Sequence, residues 1–257
     1  MKKDQLKLFL DEKVKEYNKP AFIRDDPISI PHRFSKKQDI EIAGLFAAVF
    51  SWGNRKTIIN KSNELMHRMD NAPHDFILNH KEIDLKKMLS FRHRTFNPTD
   101  ALCFIDFLKN FYKKNNSLEN AFSEGIKGND KTVENGLIHF HNLFFLRENY
   151  PVRTRKHIPT PERKSSCKRL NMFLRWMVRN DNCGVDFGIW KNIKPAQLVC
   201  PLDLHVDRVA RRYGLIKNKN TNWDAALELT DKLRRLDPVD PVKYDFALFG
   251  IGVLEKF

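Results

Sequence analysis

Apolar residues recur every three or four positions along most of this chain, which is the spacing of one face of a helix. The almost wholly apolar stretch 40–52 predicts a helix buried on all sides. The sequence has no convincing alternating run of strand length, so we predict an all-α fold. The pattern predicts a short helix beginning at Asn71 and longer helices over 4–17, 40–52, 55–70, 100–114, 117–126, 132–148, 167–180, 204–213, 223–236 and 242–256.

Proline and basic residues interrupt this pattern most clearly at residues 149–164, which we predict to form a loop. Ser165 or Ser166 is expected to cap the helix that follows, because a serine hydroxyl accepts hydrogen bonds from the first helical amides. Thr221 or Asn222 is expected to cap the helix over 223–236 for the same reason. The helix after Asp203 is expected to end at Gly214.

The charge of the chain predicts the kind of partner that it binds. The formal net charge is +14, and the excess is concentrated between Pro151 and Asn180. A polyanion such as nucleic acid is the simplest partner for this concentration, although a solubilising surface or an attraction to anionic lipid would give the same count. The basic residues of this segment are Arg153, Arg155, Lys156, Arg163, Lys164, Lys168, Arg169, Arg175 and Arg179, against the single acid Glu162.

Several classes of protein are disfavoured by what the sequence lacks. No apolar run is long enough to cross a membrane, and the first predicted helix has charges inside its apolar stripe, unlike a signal peptide. The four cysteines are irregularly spaced and match no zinc or iron–sulfur pattern. We therefore expect free thiols, no metal, no cofactor and a cytoplasmic location. Walker, Rossmann, HExxH and nucleophile-elbow patterns are also missing.

Two residues are candidates for catalytic chemistry. Lys168 is expected in the first turn of its helix, where the positive end of the helix dipole disfavours an added proton, and such a lysine can act as a nucleophile. Asp203 stands just before a helix, where it could cap the helix and also stabilise positive charge in a substrate. The simpler interpretations are a phosphate contact for Lys168 and capping alone for Asp203. Asp207 is expected to pair with Arg211 four residues later.

Aromatic and basic residues supply candidates for binding. Trp52 and Trp190 could stack on a base, although core packing is the more common role of tryptophan. Trp176 lies in an apolar stripe and is expected in the core. The turn after residue 52 and the loop around residue 93 could meet phosphates. The candidate DNA-binding residues are Gly53, Asn54, Arg55, Lys56, Arg92, Arg94, Arg153, Arg155, Lys156, Arg163, Lys164, Arg169 and His205.

Several segments resemble the helix-hairpin-helix DNA glycosylase superfamily, which includes endonuclease III and the archaeal 8-oxoguanine glycosylases. IAGLFAAVFSWGNRKTIINKSNELM resembles the early helix pair of that family. KRLNMFLRW resembles the helix that begins with its Schiff-base lysine, and PLDLHVDRVARRYGL resembles its Asp-x-His segment. DPVKYDFALFGIG resembles the closing helix. The whole sequence also looks like a bacterial family of conserved proteins of unknown function.

The resemblance implies a fold and an activity. It implies a two-lobed helical glycosylase-like fold in which 36–197 form a central lobe, and 1–35 with 198–257 form the second. It implies a monomeric, nucleoid-associated base-excision enzyme acting on duplex DNA with a damaged base. Lys168 and Asp203 would be its catalytic residues, with AP lyase activity if the lysine forms a Schiff base.

The sequence departs from the family at the hairpin. The family carries a Gly-x-Gly there, whereas the Pro/Arg segment 149–164 precedes Lys168 in this chain. The expectation is therefore a modified hairpin. The alternative function is a nucleic-acid-binding protein on the same fold without catalysis, and a weaker one is an enzyme of another class on a basic helical scaffold.

Overall fold

A computed structural model describes residues 3–146 and 150–255 of the chain, and this part is helical and contains no β-strand. A single antiparallel bridge joins His93 to Phe96. The predicted all-α class is therefore confirmed. The α-helices of the described residues are α1 (Lys3–Tyr17), α2 (Lys37–Phe50), α3 (Arg55–Arg68), α4 (Pro73–Asn79), α5 (Glu82–Leu85), α6 (Pro98–Tyr112), α7 (Asn120–Ser123), α8 (Glu134–Phe144), α9 (Lys168–Val178), α10 (Leu204–Arg212), α11 (Trp223–Arg234) and α12 (Tyr244–Leu254).

Polar side chains at the helix starts explain where several helices begin. The side-chain oxygen of Asn54 accepts from the Thr57 amide at 3.1 Å and begins α3. Asn222, one of the two predicted caps, accepts from the Ala225 amide at 3.0 Å and begins α11. Each bond satisfies an amide that has no partner within its own helix.

The start of α9 differs from the prediction. Cys167 is the residue before the helix and takes a left-handed conformation with φ of 50°, and its side chain makes no capping bond. The Ser165 hydroxyl instead accepts from the amide of Cys167 at 3.2 Å. The predicted serine cap is therefore wrong, because the hydroxyl is used in the turn that leads into the helix.

Helix α2 lies at the centre of the fold, as its apolar sequence predicted. From Ile40 to Phe50 every residue is buried, and the helix contacts α3, α4 and α9. Gly44 allows the close approach of α9, because a Cβ there would lie 3.0 Å from Met177 Cε and 3.2 Å from Phe173 Cε2. Trp176 of α9 is fully buried, which confirms its predicted place in the core.

The terminal helix α12 packs against both α1 and α10. The N-terminal helix thus returns to the C-terminal part of the chain, the contact that we expected of it. The division into lobes at residues 36 and 197 stays a prediction. No helix among the described residues has the length and apolarity that a membrane crossing needs.

Two predicted helices are shorter than their sequence pattern. The helix expected over 117–126 is reduced to α7, because the Ser117 hydroxyl and the Leu118 amide both donate to Glu41, at 2.5 and 3.0 Å. The helix expected over 132–148 ends at Phe144, and its last two predicted residues lie outside the described part. The described part of the loop predicted over 149–164, from residue 150, forms two short 3₁₀ turns, Val152–His157 and Pro161–Arg163.

A buried network of charges fixes the second half of α9. Arg175 Nη1 lies 2.5 Å from an oxygen of Asp245, and Arg179 Nη1 lies 2.5 Å from an oxygen of Asp186. Arg179 also pairs with Asp240 at 2.9 Å. Both arginines are at most 4% exposed. Their charges hold the segment after α9 and the start of α12 against the helix, since a buried charge must be paired.

Candidate active site

A cavity of about 260 Å³ lies where the first turn of α9, the start of α10, α12 and the turn after α2 meet. Lys168 and Asp203, the two predicted catalytic residues, both line it. They are 35 positions apart in the sequence, and the packing of α2 against α9 and of α10 against α12 brings them together. The pair is therefore positioned by the fold and not by one local element.

Lys168 is the first residue of α9. Its Nζ lies 3.9 Å from Asp203 Oδ2 and donates to the Ser51 carbonyl at 3.5 Å. The side chain is 27% exposed, and that of Asp203 is 17% exposed. The amine is thus accessible from the cavity, and its contact with the carboxylate is a loose one.

The two oxygens of Asp203 have different roles. Oδ1 accepts from the amides of His205 and Val206, both at 2.9 Å, and so caps α10. Oδ2 is the oxygen nearer to Lys168. The cap holds the carboxylate in a fixed orientation, and one oxygen remains directed at the amine. Capping and a chemical role are therefore compatible in this residue.

Two further carboxyls line the cavity and were missed by the sequence analysis. Burial raises the pKa of Asp26, whose Oδ1 accepts from the Ile28 amide at 3.1 Å. Burial also raises the pKa of Asp245 to about 6, although Arg175 opposes the shift. A signal for Asp245 was present, since it is an acid inside the apolar terminal helix and such residues are seldom buried unpaired. Asp26 had only the signal of an Asp-Pro turn.

Aromatic side chains form another wall of the cavity. Trp52 lines it, as predicted, together with Phe22 and Phe249. Its indole Nε1 is buried and has no hydrogen-bond partner within residues 3–146 and 150–255. The guanidinium of Arg94 lies over the Trp52 ring, 4.3 Å from the centroid. The indole donor is thus buried without a partner in this part of the chain, and the arginine holds the ring in place.

A search of the curated proteins and a search of the solved structures found no match. A family model described as "Protein of unknown function (DUF2400)" matches residues 26–254, which include the whole cavity except Phe22. The chain belongs to this family. Membership covers both Lys168 and Asp203, and it assigns neither of them a role.

Trp190 lies away from this cavity. It is buried in the core, where its Nε1 donates to Glu41 Oε1 at 2.7 Å. Glu41 is itself fully buried and also accepts from the Tyr112 hydroxyl at 2.8 Å. The expectation of Trp190 in a base pocket is therefore wrong, because the carboxylate of α2 needs the indole as a buried donor.

The turn between α2 and α3 supplies part of the cavity rim. Gly53 and Arg55 line the cavity, and Asn54 caps α3. Gly53 has φ of 102°, and a Cβ there would lie 2.6 Å from Nη1 of Arg94. Both the left-handed backbone and the nearby guanidinium therefore favour glycine. Lys56 is exposed on α3 beside this rim.

The predicted DNA-binding arginines are not equally available. Arg153 is bonded to Asp100 and Asn97 and donates to the Thr95 carbonyl at 2.9 Å. Arg169 donates to the carbonyl oxygens of Val49 at 2.5 Å and Lys156 at 3.0 Å. Both guanidinium groups hold the chain together, so their prediction as phosphate contacts is not supported by their geometry. The predicted residues that are exposed are Gly53, Asn54, Lys56, Arg92, Arg94, Arg153, Lys156, Arg163 and Lys164, and of these Arg153 has its guanidinium already bonded to the protein.

His205 lines the cavity, and its Nδ1 lies 3.1 Å from Nη2 of Arg208. Asp207 pairs with Arg211 at 2.8 Å, as predicted. All four cysteines are free thiols. Among the described residues no group of three His, Cys, Asp or Glu side chains is arranged to hold a metal ion.

Proposed function

We propose that this protein is a DNA base-excision glycosylase in which Lys168 forms a Schiff base with the sugar. One observation carries the proposal: a primary amine and a carboxylate face each other at 3.9 Å inside one cavity. Their order and setting agree with the resemblance to the helix-hairpin-helix glycosylases. The proposal includes the two-lobed glycosylase fold that this resemblance implies.

The chemistry divides between the two residues. Asp203 Oδ2 accepts a proton from the Lys168 ammonium, which frees the electron pair on Nζ. Nζ then attacks C1′ of the sugar, the N-glycosidic bond breaks, and the base leaves with the bonding pair and takes up the proton held by Asp203. The carboxylate that this transfer restores stabilises the positive charge on the sugar. Ring opening gives the Schiff base, from which β-elimination nicks the strand.

The cavity suits a single nucleobase turned out of the duplex. Its volume, about 260 Å³, is below the range of roughly 300–1,000 Å³ that holds drug-sized ligands. The rings of Trp52 and Phe249 provide faces for stacking.

Exposed basic residues near the cavity would bind the DNA backbone. Lys56 is exposed and follows Arg55, which lines the cavity, and the exposed Lys164 lies four positions before Lys168. Phosphate contacts of this kind fix the position of the strand without selecting its sequence.

A binding protein without catalysis is the second candidate. The observation that favours it is that Asp203 already has a structural role as the cap of α10. In that case Lys168 would serve as a phosphate contact and neutralise the cap. The glycosylase requires Oδ2 of Asp203 to take part in the chemistry, whereas the binding protein requires only the capping bonds of Oδ1.

The test is an assay of base release and strand cleavage that separates these roles. The substrates are duplexes carrying 8-oxoguanine, an oxidised pyrimidine, uracil or an abasic site. Asp203→Asn keeps a side chain that caps helices well and removes the carboxylate charge. We expect wild-type protein to release at least one of these bases, and Lys168→Gln and Asp203→Asn to lose at least about a hundredfold in rate.

The matched control is Lys219→Gln, which removes a positive charge from an exposed residue outside the cavity and should leave the rate unchanged. Wild-type activity that survives in Asp203→Asn would show that the aspartate only caps the helix. Binding to every duplex with no base release by wild-type protein would favour the second candidate.

A further inference from the structure

A second cavity, of about 520 Å³, lies in the basic segment Val152–Ser165. It shares no lining residue with the cavity of Lys168 and Asp203. We propose that this second cavity binds a phosphate group, and we call it the anion pocket. Phosphate binding by the anion pocket does not depend on the chemistry of Lys168. That the phosphate belongs to a DNA strand rests on the proposed function.

Two buried donors in the wall of the anion pocket have no partner in the described part of the chain. The Thr160 hydroxyl and the Arg155 Nε are both buried and unbonded, and Thr160 is only 1% exposed. A buried polar group without a partner is costly and uncommon in folded proteins. Both side chains line the same cavity, so one ligand that accepts hydrogen bonds would satisfy both once the two side chains turn toward it.

The charge around the anion pocket defines the ligand as an anion. Arg155, Lys156 and Arg163 line it, and Lys156 and Arg163 are exposed. Arg153 also lines it, although its guanidinium is already paired with Asp100. No Asp or Glu lines the cavity within the described residues. Basic side chains next to a hydroxyl, with one arginine stacked on an aromatic ring, are typical of phosphate-binding sites.

The walls of the anion pocket are held by contacts with the core. The Thr154 hydroxyl donates to Asp100 Oδ1 at 2.8 Å, and His157 Nε2 lies 3.3 Å from Asp100 Oδ2. Burial would raise the pKa of Asp100, but His157, the Asn97 amide and Thr154 outweigh it and lower the pKa to about 2. Asp100 is therefore a stable anchor for the segment. Such anchoring preorganises the donors and reduces the entropy lost on binding.

Arg155 itself is held by aromatic rings. Its guanidinium carbon lies 5.0 Å from the centroid of Tyr150 and 5.9 Å from that of Phe145. On another wall, His141 Nδ1 donates to the Ile158 carbonyl at 2.7 Å. The arginine is thus oriented by stacking, and its buried Nε has no partner within the described residues.

The pocket is larger than a phosphate and has an apolar side made by Val152, Ile158 and Pro159. That side suits the sugar or base attached to the phosphate. The ligand that fits the pocket is therefore the phosphate of a nucleotide. An oligonucleotide can present this group either as a terminal phosphomonoester or as an internal diester.

The experiment measures binding of three probes to the full chain. The probes are inorganic phosphate, an undamaged duplex without terminal phosphates, and the same duplex with 5′-phosphates. The variants are Thr160→Val, which removes the hydroxyl at almost constant volume, and Arg155→Gln, with Lys219→Gln as the charge-matched control. Lys168→Gln tests independence from the proposed active site. Thermal unfolding of each ligand-free variant verifies that it folds.

We expect Thr160→Val and Arg155→Gln each to weaken the binding of at least one probe by about tenfold. This is the scale of a lost hydrogen bond to a charged group. Lys168→Gln should leave inorganic phosphate binding unchanged even if the protein has no glycosylase activity. Ligand-free Thr160→Val should melt at the same or a higher temperature, because it removes an unsatisfied buried hydroxyl.

The pattern across the probes identifies the source of the phosphate. A loss confined to the 5′-phosphorylated duplex and inorganic phosphate assigns a terminal phosphomonoester, and a loss for the unphosphorylated duplex assigns an internal diester. The proposal is overturned if neither Thr160→Val nor Arg155→Gln weakens any probe more than Lys219→Gln does.

Discussion

The two ends of α9 carry the same kind of side chain in opposite surroundings. At its start, Lys168 is partly exposed, and its Nζ has Asp203 as its carboxylate neighbour at 3.9 Å. At its other end, Arg175 in the last turn and Arg179 just after it are buried and contact carboxylates at 2.5 Å. Lys168 thus faces a cavity and has only a long contact with a carboxylate. Arg175 and Arg179 instead hold α12, and the segment that follows α9, against the core.

This difference shows why a count of basic residues overstates a binding surface. Between Pro151 and Asn180, four of the nine basic residues have guanidinium groups that are bonded to other groups of the protein. These engaged residues are the exposed Arg153 and the more buried Arg169, Arg175 and Arg179. The positive charge that remains for a polyanion is concentrated in the segment before α9 and in its first turn.

The largest expected effect is at the buried C-terminal end of α9. Arg179→Met should lower the free energy of unfolding by about 3–5 kcal/mol, because it removes the cation from Asp240 and leaves the buried Asp186 with Arg175 alone, at 3.3 Å. Urea unfolding measures the loss. Arg24→Met is the control, since it breaks the exposed pair with Asp25, and exposed pairs contribute little. Equal stabilities of the two variants would contradict the assignment of Arg179 to the core.

The next effect is a pH dependence of stability from Asp245. Burial raises its folded-state pKa to about 6, from an ordinary 3.8. A raised folded-state pKa contributes stability that is fully present below about pH 4 and is lost as the pH rises through 6. We expect the free energy of unfolding to fall over this window by up to about 3 kcal/mol more in wild-type protein than in Asp245→Asn.

Asp100 affects the stability of the protein over a different pH range. Because its pKa is about 2, its contribution to the free energy of unfolding is lost only below pH 4. Unfolding curves collected every half unit from pH 4 to 7 measure the Asp245 contribution. Parallel pH profiles of wild-type protein and Asp245→Asn would show that Asp245 has no raised pKa.

A smaller effect is expected at the start of α9. Lys168→Gln should change the free energy of unfolding by less than about 1 kcal/mol, because the pair with Asp203 is long and partly exposed. Thermal or urea unfolding measures the change. A loss as large as that of Arg179→Met would make Lys168 a structural residue and remove the contrast between the two ends of α9.

The smallest expected effect is on the salt dependence of DNA binding. It distinguishes a basic residue before α9 that is exposed from one whose charge is already paired within the protein. Lys164→Gln should reduce the salt dependence of duplex binding by about one counterion, a change of roughly 0.9 in the slope of log K against log salt. Arg153→Gln should leave the slope unchanged, because its guanidinium is already paired with Asp100. Binding titrations at several salt concentrations measure both slopes, and equal changes would contradict the division.

The elements of the fold were largely predictable, because helical periodicity and capping are local properties of the sequence. The buried helix α2 and the cap Asn222 are examples. The pairing of Arg179 with Asp240 and of Trp190 with Glu41 joins residues 61 and 149 positions apart. Such pairs depend on the tertiary arrangement, and no local pattern announces them.

The candidate site was predictable only in part. Lys168 and Asp203 were found by their places at helix starts and by family resemblance, and Trp52 by its residue type and place. Asp26 and Asp245 were missed, since their importance comes from a cavity that five separate segments form together. Local sequence thus identified the reactive groups, and packing determined what surrounds them.

The proposed function requires the Lys168 amine to react with a sugar. Borohydride trapping on the damaged and abasic duplexes, followed by peptide mapping of the adduct, tests this reaction. We expect a covalent protein–DNA adduct on the peptide containing Lys168, retained in Lys219→Gln and lost in Lys168→Gln. An adduct mapped to another lysine, or none on any duplex that the protein binds, would contradict it.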